Sequence, residues 1–357
     1  MTCGDDRSSG PSRPARRLVA APDKFRGTAA AASVAGAVGR AARARGWRCD
    51  EVPVADGGEG TLEALGGDAR HATVRGPLGG TVSAEWRWRG EGEAVVEMAR
   101  ASGLQLVGGP AGNDPLRATT YGTGELVAAA LDAGADRVLV GMGGSATTDG
   151  GLGAISALRT ERRRGRSWAR TDVVVACDVT TTFVDAAEHF APQKGASAAQ
   201  VSLLRRRLER LAQVYERDFG VDVRDMPGAG AAGGLAGGLA ALGATLVPGF
   251  DLVAEEVDLA GRLDGADLVV TGEGRLDAES FAGKAVGGVV ALAARSRVPV
   301  LVVAGEVEGD AVPPGWSGSG VRVVSLVERF GGDRGRGDVL GCVEAVVADH
   351  LAAQGRR

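Results

Sequence analysis

The sequence predicts an α/β protein made of two α/β domains. One is a discontinuous domain on a doubly wound parallel sheet, the other an inserted mixed α/β domain, and the site is expected in the cleft between them. Three observations predict this. The chain has 357 residues, more than one hydrophobic core ordinarily serves. Apolar runs that end in glycine-rich polar loops and lead into helices occur near both ends, and this is the βα unit of a doubly wound sheet. Between them, from residue 71 to 98, polar and apolar residues alternate with glycine turns, as in antiparallel strands. The expected boundaries are a disordered tail over 1–17, the discontinuous domain over 18–70 and 266–357, and the insert over 71–265.

Residues 1–17 are rich in Arg, Ser and Pro and lack the apolar stretch of a signal peptide. A strand over 18–21 stops at Pro22, and Thr28 is placed to cap an Ala-rich helix reaching about residue 45. A second strand over 51–54 runs into the loop 55–61 and a helix through Leu62 and Leu65. Strands follow around Val74, over 81–88 and over 94–98. Residues 118–124 lead a helix from 125 to about 133. The apolar run 137–140 then enters the string Gly-Met-Gly-Gly-Ser-Ala-Thr-Thr-Asp-Gly-Gly at 141–151. An Arg-rich stretch over 161–170 reads as a solvated connection. A strand over 172–178 ends in an Asp, and a charged helix covers 198–215. The string at 226–234 matches G-x-G-x-x-G, but no apolar strand precedes it and Pro227 breaks the entry, which argues against a dinucleotide fingerprint. Such a loop can hold an anion at a helix N-terminus, and it equally suits two helices in close contact. Strand 266–270 then enters the loop 271–277. A helix over 283–294, strands over 299–305 and 321–326, and a terminal helix over 337–351 complete the chain.

Composition excludes several functions. A net charge of −4 argues against a nucleic-acid or polybasic membrane binder, and 4% aromatic residues give no stacking platform for single strands. Cys3, Cys49, Cys177 and Cys342 are isolated, and His71, His189 and His350 are the only histidines, so neither a zinc site nor a disulfide framework is expected. No G-x-S-x-G elbow is present. No run is long and apolar enough to cross a bilayer. A cytoplasmic location is expected, with a homodimer left open.

Of 41 basic residues, only Lys24, Lys194 and Lys284 are lysine, and each sits in a short polar loop. A compact ammonium suits a phosphate or a transferring phosphoryl group as a point charge. The loop 141–151 offers glycine backbone and the hydroxyls of Ser145, Thr147 and Thr148, with Asp149 as a carboxylate. Other carboxylates at strand–loop junctions are Asp23, Asp56, Glu59, Asp178, Glu273 and Asp277. Phosphoryl transfer draws on this set: carboxylates for Mg²⁺, cations for developing charge, and a carboxylate to take the proton. No Walker A string and no protein-kinase signature is present. The residues alone read as a small-molecule phosphotransferase or a phosphate-ligand binder. Any one Asp could instead cap a helix.

The strings APDKFRGT (21–28), PVADGGEGT (53–61), GPLGG (76–80), TTYGTGEL (119–126), GMGGSATTDGG (141–151), ACDVT (176–180), APQKGAS (191–197), PGAGAAGG (227–234) and TGEGRLD (271–277) together resemble the bacterial glycerate kinase family, type I, in family order over nearly all of 18–350. The resemblance implies ATP-dependent phosphorylation of D-glycerate to a phosphoglycerate, commonly the 2-phosphate, with Mg²⁺. Within it, the nucleotide phosphates are expected against Gly143, Gly144, Ser145, Thr147, Gly230 and Gly233, and Mg²⁺ on Asp178 or Asp149. Lys24 and Lys194 are expected to face the phosphoryl group or the substrate carboxylate. Arg275 is expected to clamp that carboxylate, with Asp23, Glu273 and Lys284 on the substrate, and Asp56 or Asp277 is the expected base. The chain departs from the family pattern in a short 152–172 segment, in Thr181-Thr182-Phe183 after ACDVT, in a trimmed 184–189 turn, and at Thr148 and Ala285. A catalytically weak nucleotide or organic-acid binder, or a kinase for another small hydroxy acid, is the alternative.

Overall fold

A computed structural model describes residues 15–25, 27–161, 168–281, 284–309 and 320–354. It contains two sheets among the described residues. The strands in chain order are β1 (Arg17–Ala20), β2 (Arg48–Glu51), β3 (Asp68–Arg75), β4 (Thr81–Gly90), β5 (Glu93–Glu97), β6 (Arg137–Gly141), β7 (Asp172–Cys177), β8 (Thr245–Pro248), β9 (Leu268–Leu276), β10 (Val300–Val307) and β11 (Val321–Ser325). The five-stranded sheet has the order β11-β10-β9-β1-β2 and is parallel throughout. The six-stranded sheet has the order β3-β4-β5-β6-β7-β8. Its first two pairings are antiparallel and the rest parallel. Leu18 pairs with Leu268, so the chain leaves the first sheet after β2, builds the second, and returns at β9.

The three central strands of the first sheet, β1, β9 and β10, are apolar on both sides, as a sheet covered by helices on both faces requires. Leu18 and Ala20 pack beneath the helices Ala31–Ala44 and Val339–Gln354, in a cluster with Val38, Leu301, Val303 and Val343. Val19 points the other way, into a cluster with Val269, Val302, Val286 and Phe250. Burying each large apolar side chain is worth about 1.5–3 kcal/mol. The alternation along three neighbouring strands therefore fixes the register strongly.

Several boundaries differ from expectation for identifiable reasons. Residues 52–54, expected in the second strand, lie past its end. Val52 and Val54 still bury, and their N–H groups still bond to the Ala20 and Pro22 carbonyls. The string Thr271–Asp277 is not a loop up to Leu276, because β10 continues to pair with it through Val307 and Leu276. Gly272 permits this: a Cβ there would lie 1.8 Å from the Val303 carbonyl oxygen. Thr28 does not cap the first helix; its hydroxyl donates to the Phe25 carbonyl, and Ala30 is the N-cap residue. The helix expected from residue 125 begins at Tyr121. Strand β8 and the helices Gly249–Glu256 and Leu259–Leu263 have no counterpart in the sequence reading; Phe250, Val253, Leu259 and Leu263 bury in a cluster that takes in strands of both sheets. The expected tail lies outside the described residues up to residue 14, and β1 takes in Arg17. Most of the Arg-rich connection, 162–167, also lies outside them. No described helix is long and apolar enough to cross a membrane.

Candidate active site

The C-terminal ends of β1, β9 and β10 open into a cavity of about 630 Å³. This is where an α/β sheet collects ligands. The segment after β1 is tied to β9 by the Asp23 N–H, which donates to the Gly272 carbonyl at 2.9 Å. That bond sets Asp23 and Lys24 at the cavity edge. Lys24 Nζ lies 3.5 Å from Asp23 Oδ1 and 3.9 Å from Asp56 Oδ1. Asp56 Oδ1 also accepts from the Gly58 N–H, which fixes the carboxylate to its own loop. Glu273 and Arg275 share one side of β9 by strand periodicity, and both line the cavity. Arg275 is exposed and pairs with Glu308 at 2.9 Å, and Lys284 pairs with Glu279 at 2.9 Å.

The second sheet contributes Asp178, the residue directly after Cys177 at the end of β7. Asp178 does not itself line the cavity, but the charges that act on it do. Burial raises the Asp178 pKa and the Asp56 charge adds to it, while Lys284 and Lys24 pull it down. Asp178 therefore shares one electrostatic field with Asp56, Lys24 and Lys284. Burial also raises Asp23 to about 6, against the attraction of Lys24. Glu273 is raised to about 7, chiefly by burial, with Asp23 and Asp277 adding and Ser280 and Lys284 opposing. Its Oε1 is buried without a hydrogen-bond partner. Asp277 is differently placed. Its Oδ1 accepts from the Ser280 N–H at 3.0 Å and the Ser280 hydroxyl at 3.2 Å, so it caps the short turn Ala278–Phe281.

Asp149 and Lys194 are not among the residues lining this cavity. They form a second, buried group. Asp149 accepts from the Thr119 hydroxyl, the Thr120 N–H and hydroxyl, and the N–H groups of Gly151 and Gly153. Lys194 is 3% exposed, and its Nζ donates to the Thr147 carbonyl at 2.7 Å. Asn113 Nδ2 holds the same loop through the carbonyls of Ala146 and Lys194. Burial lowers Lys194 to about 7, with Asp149 opposing. The unfolded chain then holds more protons than the folded one between that value and the ordinary 10.5, so this residue makes stability rise with pH across that window. Lys194→Met should remove this rise. Denaturant midpoints from about pH 7 to about pH 9.5 test it, and equal slopes in the two proteins would refute it.

The glycines expected to cradle phosphates have protein backbone where a side chain would go. A Cβ at Gly143 would lie 2.9 Å from the Gly58 Cα, one at Gly230 would lie 2.3 Å from the Thr182 carbonyl oxygen, and one at Gly233 would lie 2.0 Å from that of Thr147. Close approach of one loop to another accounts for these three positions. Gly144 has φ +62°. Ser145 is buried and bridges to Gly103. Thr147 is buried beside the 228–234 loop, its hydroxyl 3.4 Å from the Ala232 carbonyl.

The sequence matches the Glycerate kinase family over residues 18–166 and 160–328. The glycerate 2-kinase of Escherichia coli (strain K12) is 42% identical over 330 residues, covering 82% of this chain and 86% of its own. The glycerate kinase of Bacillus subtilis (strain 168) is 41% identical over 329 residues, covering 82% and 86%. The chain belongs to the glycerate kinase family. It is an enzyme of the kinase class. A crystal structure of a provisionally named glycerate kinase 2 from Salmonella typhimurium LT2 superimposes with a TM-score of 0.80 at 34% identity, covering 96% of this chain and 99% of that one. The two family matches overlap at 160–166, within the Arg-rich connection.

Three parts of this family member's site are absent from the sequence reading. Glu97, at the end of β5, is 1% exposed and accepts from the Gly60 and Leu62 N–H groups at 2.8 and 3.0 Å, with Arg100 on its other oxygen. It anchors the loop that carries Asp56. Its position just before a helix start is the one signal that could have found it. Glu306 and Arg336 pair with each other at the cavity, and Gly335 lines it too. The run Gly-Gly-Asp-Arg-Gly-Arg-Gly at 331–337 marks them only weakly, as a turn-rich segment.

Among the described residues, no group of three or more His, Cys, Asp and Glu is arranged to hold a metal. Mg²⁺ does not require one, since one or two carboxylates and the substrate phosphates suffice. Asp178 and Asp56 are hard oxygen donors in one field and fit that need. Asp149 lies outside that cavity, and its Oδ2 accepts from four protein donors while Oδ1 accepts from the Gly151 N–H.

Proposed function

We propose that this chain phosphorylates D-glycerate with ATP and Mg²⁺, with the 2-phosphate as product. The observation that carries the reading is the gathering of Asp23, Lys24, Asp56, Asp178, Glu273 and Lys284 in one field at the strand ends. The relatives named as glycerate kinases support the acceptor.

Asp178, with Asp56 beside it, would hold Mg²⁺, which supplies charge neutralisation at the phosphates. Lys24 and Lys284 offset the negative charge that spreads over the transferring group. Arg275 binds the acceptor carboxylate as a planar fork once Glu308 yields it. The acceptor oxygen bonds to the γ-phosphorus, the bond from that phosphorus to the β–γ bridging oxygen breaks, and ADP leaves. Glu273 takes the acceptor proton: its Oε1 lacks a partner, whereas Asp277 is engaged with Ser280. ADP release coupled to a reporter, with the product identified by ³¹P NMR, tests the reading. The rate should fall as pH drops through about 7, where Glu273 becomes protonated. Nucleotide binding without turnover of D-glycerate would overturn it.

A further inference from the structure

The loop 55–61 is fastened at its two ends to different sheets. Just before its start, the Val54 N–H donates to the Pro22 carbonyl at 3.0 Å, two residues past β1. At its end Glu97, the last residue of β5, reaches across from the second sheet. Glu97 Oε1 accepts from the Gly60 N–H at 2.8 Å and the Leu62 N–H at 3.0 Å. Arg100 holds the other oxygen at 3.0 Å and pairs with Glu63 at 2.8 Å, which grips the same helix start a second time. Between these anchors the loop lies on the ends of β6 and β7 with little room to move. A Cβ at Gly57 would lie 2.9 Å from the Ala176 Cβ, one at Gly141 would lie 2.8 Å from the Gly57 carbonyl oxygen, and one at Gly143 would lie 2.9 Å from the Gly58 Cα. Asp56 stands next to Gly57, and Asp178 follows Ala176 by two residues.

A run of hydrogen bonds leads from the anchor to the carboxylate. Glu97 holds the Gly60 and Leu62 N–H groups, the Thr61 hydroxyl donates to the Gly58 carbonyl at 2.7 Å, and the Gly58 N–H donates to Asp56 Oδ1 at 3.2 Å. Burying a carboxylate is costly even when it is paired, so Glu97 is better explained by the one loop geometry it specifies than by stability it adds. We propose that Glu97 is a positioning residue for the metal: it sets Asp56, which follows the first sheet's β2, against Asp178, which follows the second sheet's β7. The proposal rests on the kinase reading above for the metal's task. Glu273 and Arg275 are placed independently, by the pairing of β9 with β10. Loss of Glu97 therefore loosens the metal pair and spares the acceptor.

The test titrates the full chain with Mn²⁺ alone, which takes the same hard oxygen ligands as Mg²⁺, and reads binding from water-proton relaxation without turnover. Kd for Mn²⁺ should rise about 10–100-fold in Glu97→Ala, the usual effect of removing a partner that orients a metal ligand. Glu97→Gln should restore most of the affinity, because its amide oxygen still accepts from Gly60 and Leu62. Asp56→Asn should weaken Mn²⁺ binding too, and Glu97→Ala added to it should change Kd no further, since the one residue acts through the other. In kinetics, the Mg²⁺ concentration for half-maximal rate should rise in Glu97→Ala while KM for D-glycerate stays unchanged. Thermal unfolding checks each variant. Should Glu97→Ala not fold, Glu97→Asp takes its place, with the charge kept and the oxygens drawn back by one methylene. Equal Kd in wild type and the folded variant, even with a lowered unfolding temperature, would overturn the proposal, as would a further rise in the double variant. If Mn²⁺ affinity falls as expected but wild type never phosphorylates D-glycerate, the positioning role stands and the kinase reading fails. If wild type turns over and Kd is unmoved, the kinase reading stands and the positioning role fails.

Discussion

Asp178→Ala is expected to lower kcat about 10²–10³-fold, the usual effect of removing one electrostatic group from a reacting centre, while leaving the fold at least as stable. The two effects separate because of how the carboxylate is held. Burial and the Asp56 charge raise its pKa, so the folded state disfavours the anion that function uses. A carboxyl whose folded pKa is raised binds its proton more tightly folded than unfolded, and stability falls as pH rises through that interval. Removing it at neutral pH relieves that cost. Asp178→Asn should behave alike in stability and in activity, since an amide cannot replace an anion beside Lys24 and Lys284. Steady-state kinetics and thermal unfolding on the same preparations check this. A kcat within a few-fold of wild type would remove Asp178 from the chemistry.

The parallel sheet was legible because its central strands β1, β9 and β10 are apolar on both faces. Leu18–Ala20, Val269 and Val300–Val303 have no other stable environment than a sheet between helices. The strand ends were harder to read. Glycine in Thr-Gly-Glu-Gly-Arg suggested a loop, but Gly272 is there so that β10 can pass within contact of it. The same ambiguity affects the glycine loops of the site. A glycine that admits a phosphate and one that admits another loop look identical in sequence, and Gly143 and Gly233 meet protein. Carboxylates share the problem. Asp56 and Asp178 feel cations at the cavity, while Asp277 caps a turn and Asp149 ties loops together. Only the partners distinguish these roles, and those partners are mostly distant in sequence. Of the three lysines, Lys24 and Lys284 line the cavity, whereas Lys194 is buried on a carbonyl.

Asp149→Ala is expected to cost about 1–3 kcal/mol of folding stability, the range for leaving a buried donor without its acceptor. Typical domains hold only about 5–15 kcal/mol in total. The carboxylate accepts from residues 119 and 120 on one side and 151 and 153 on the other. Its loss leaves those donors buried with nothing to meet them, and it removes the charge that favours protonated Lys194. Asp149→Asn should cost less, because one oxygen still accepts, but its amide NH₂ would face donors and cannot replace the other. Urea unfolding of the apo-protein measures both. The result also separates two roles for the same residue type. A metal ligand, once removed, would weaken Mg²⁺ binding and leave apo stability near wild type. A loop anchor would do the reverse, and the second outcome is the one expected from the five donors around Asp149.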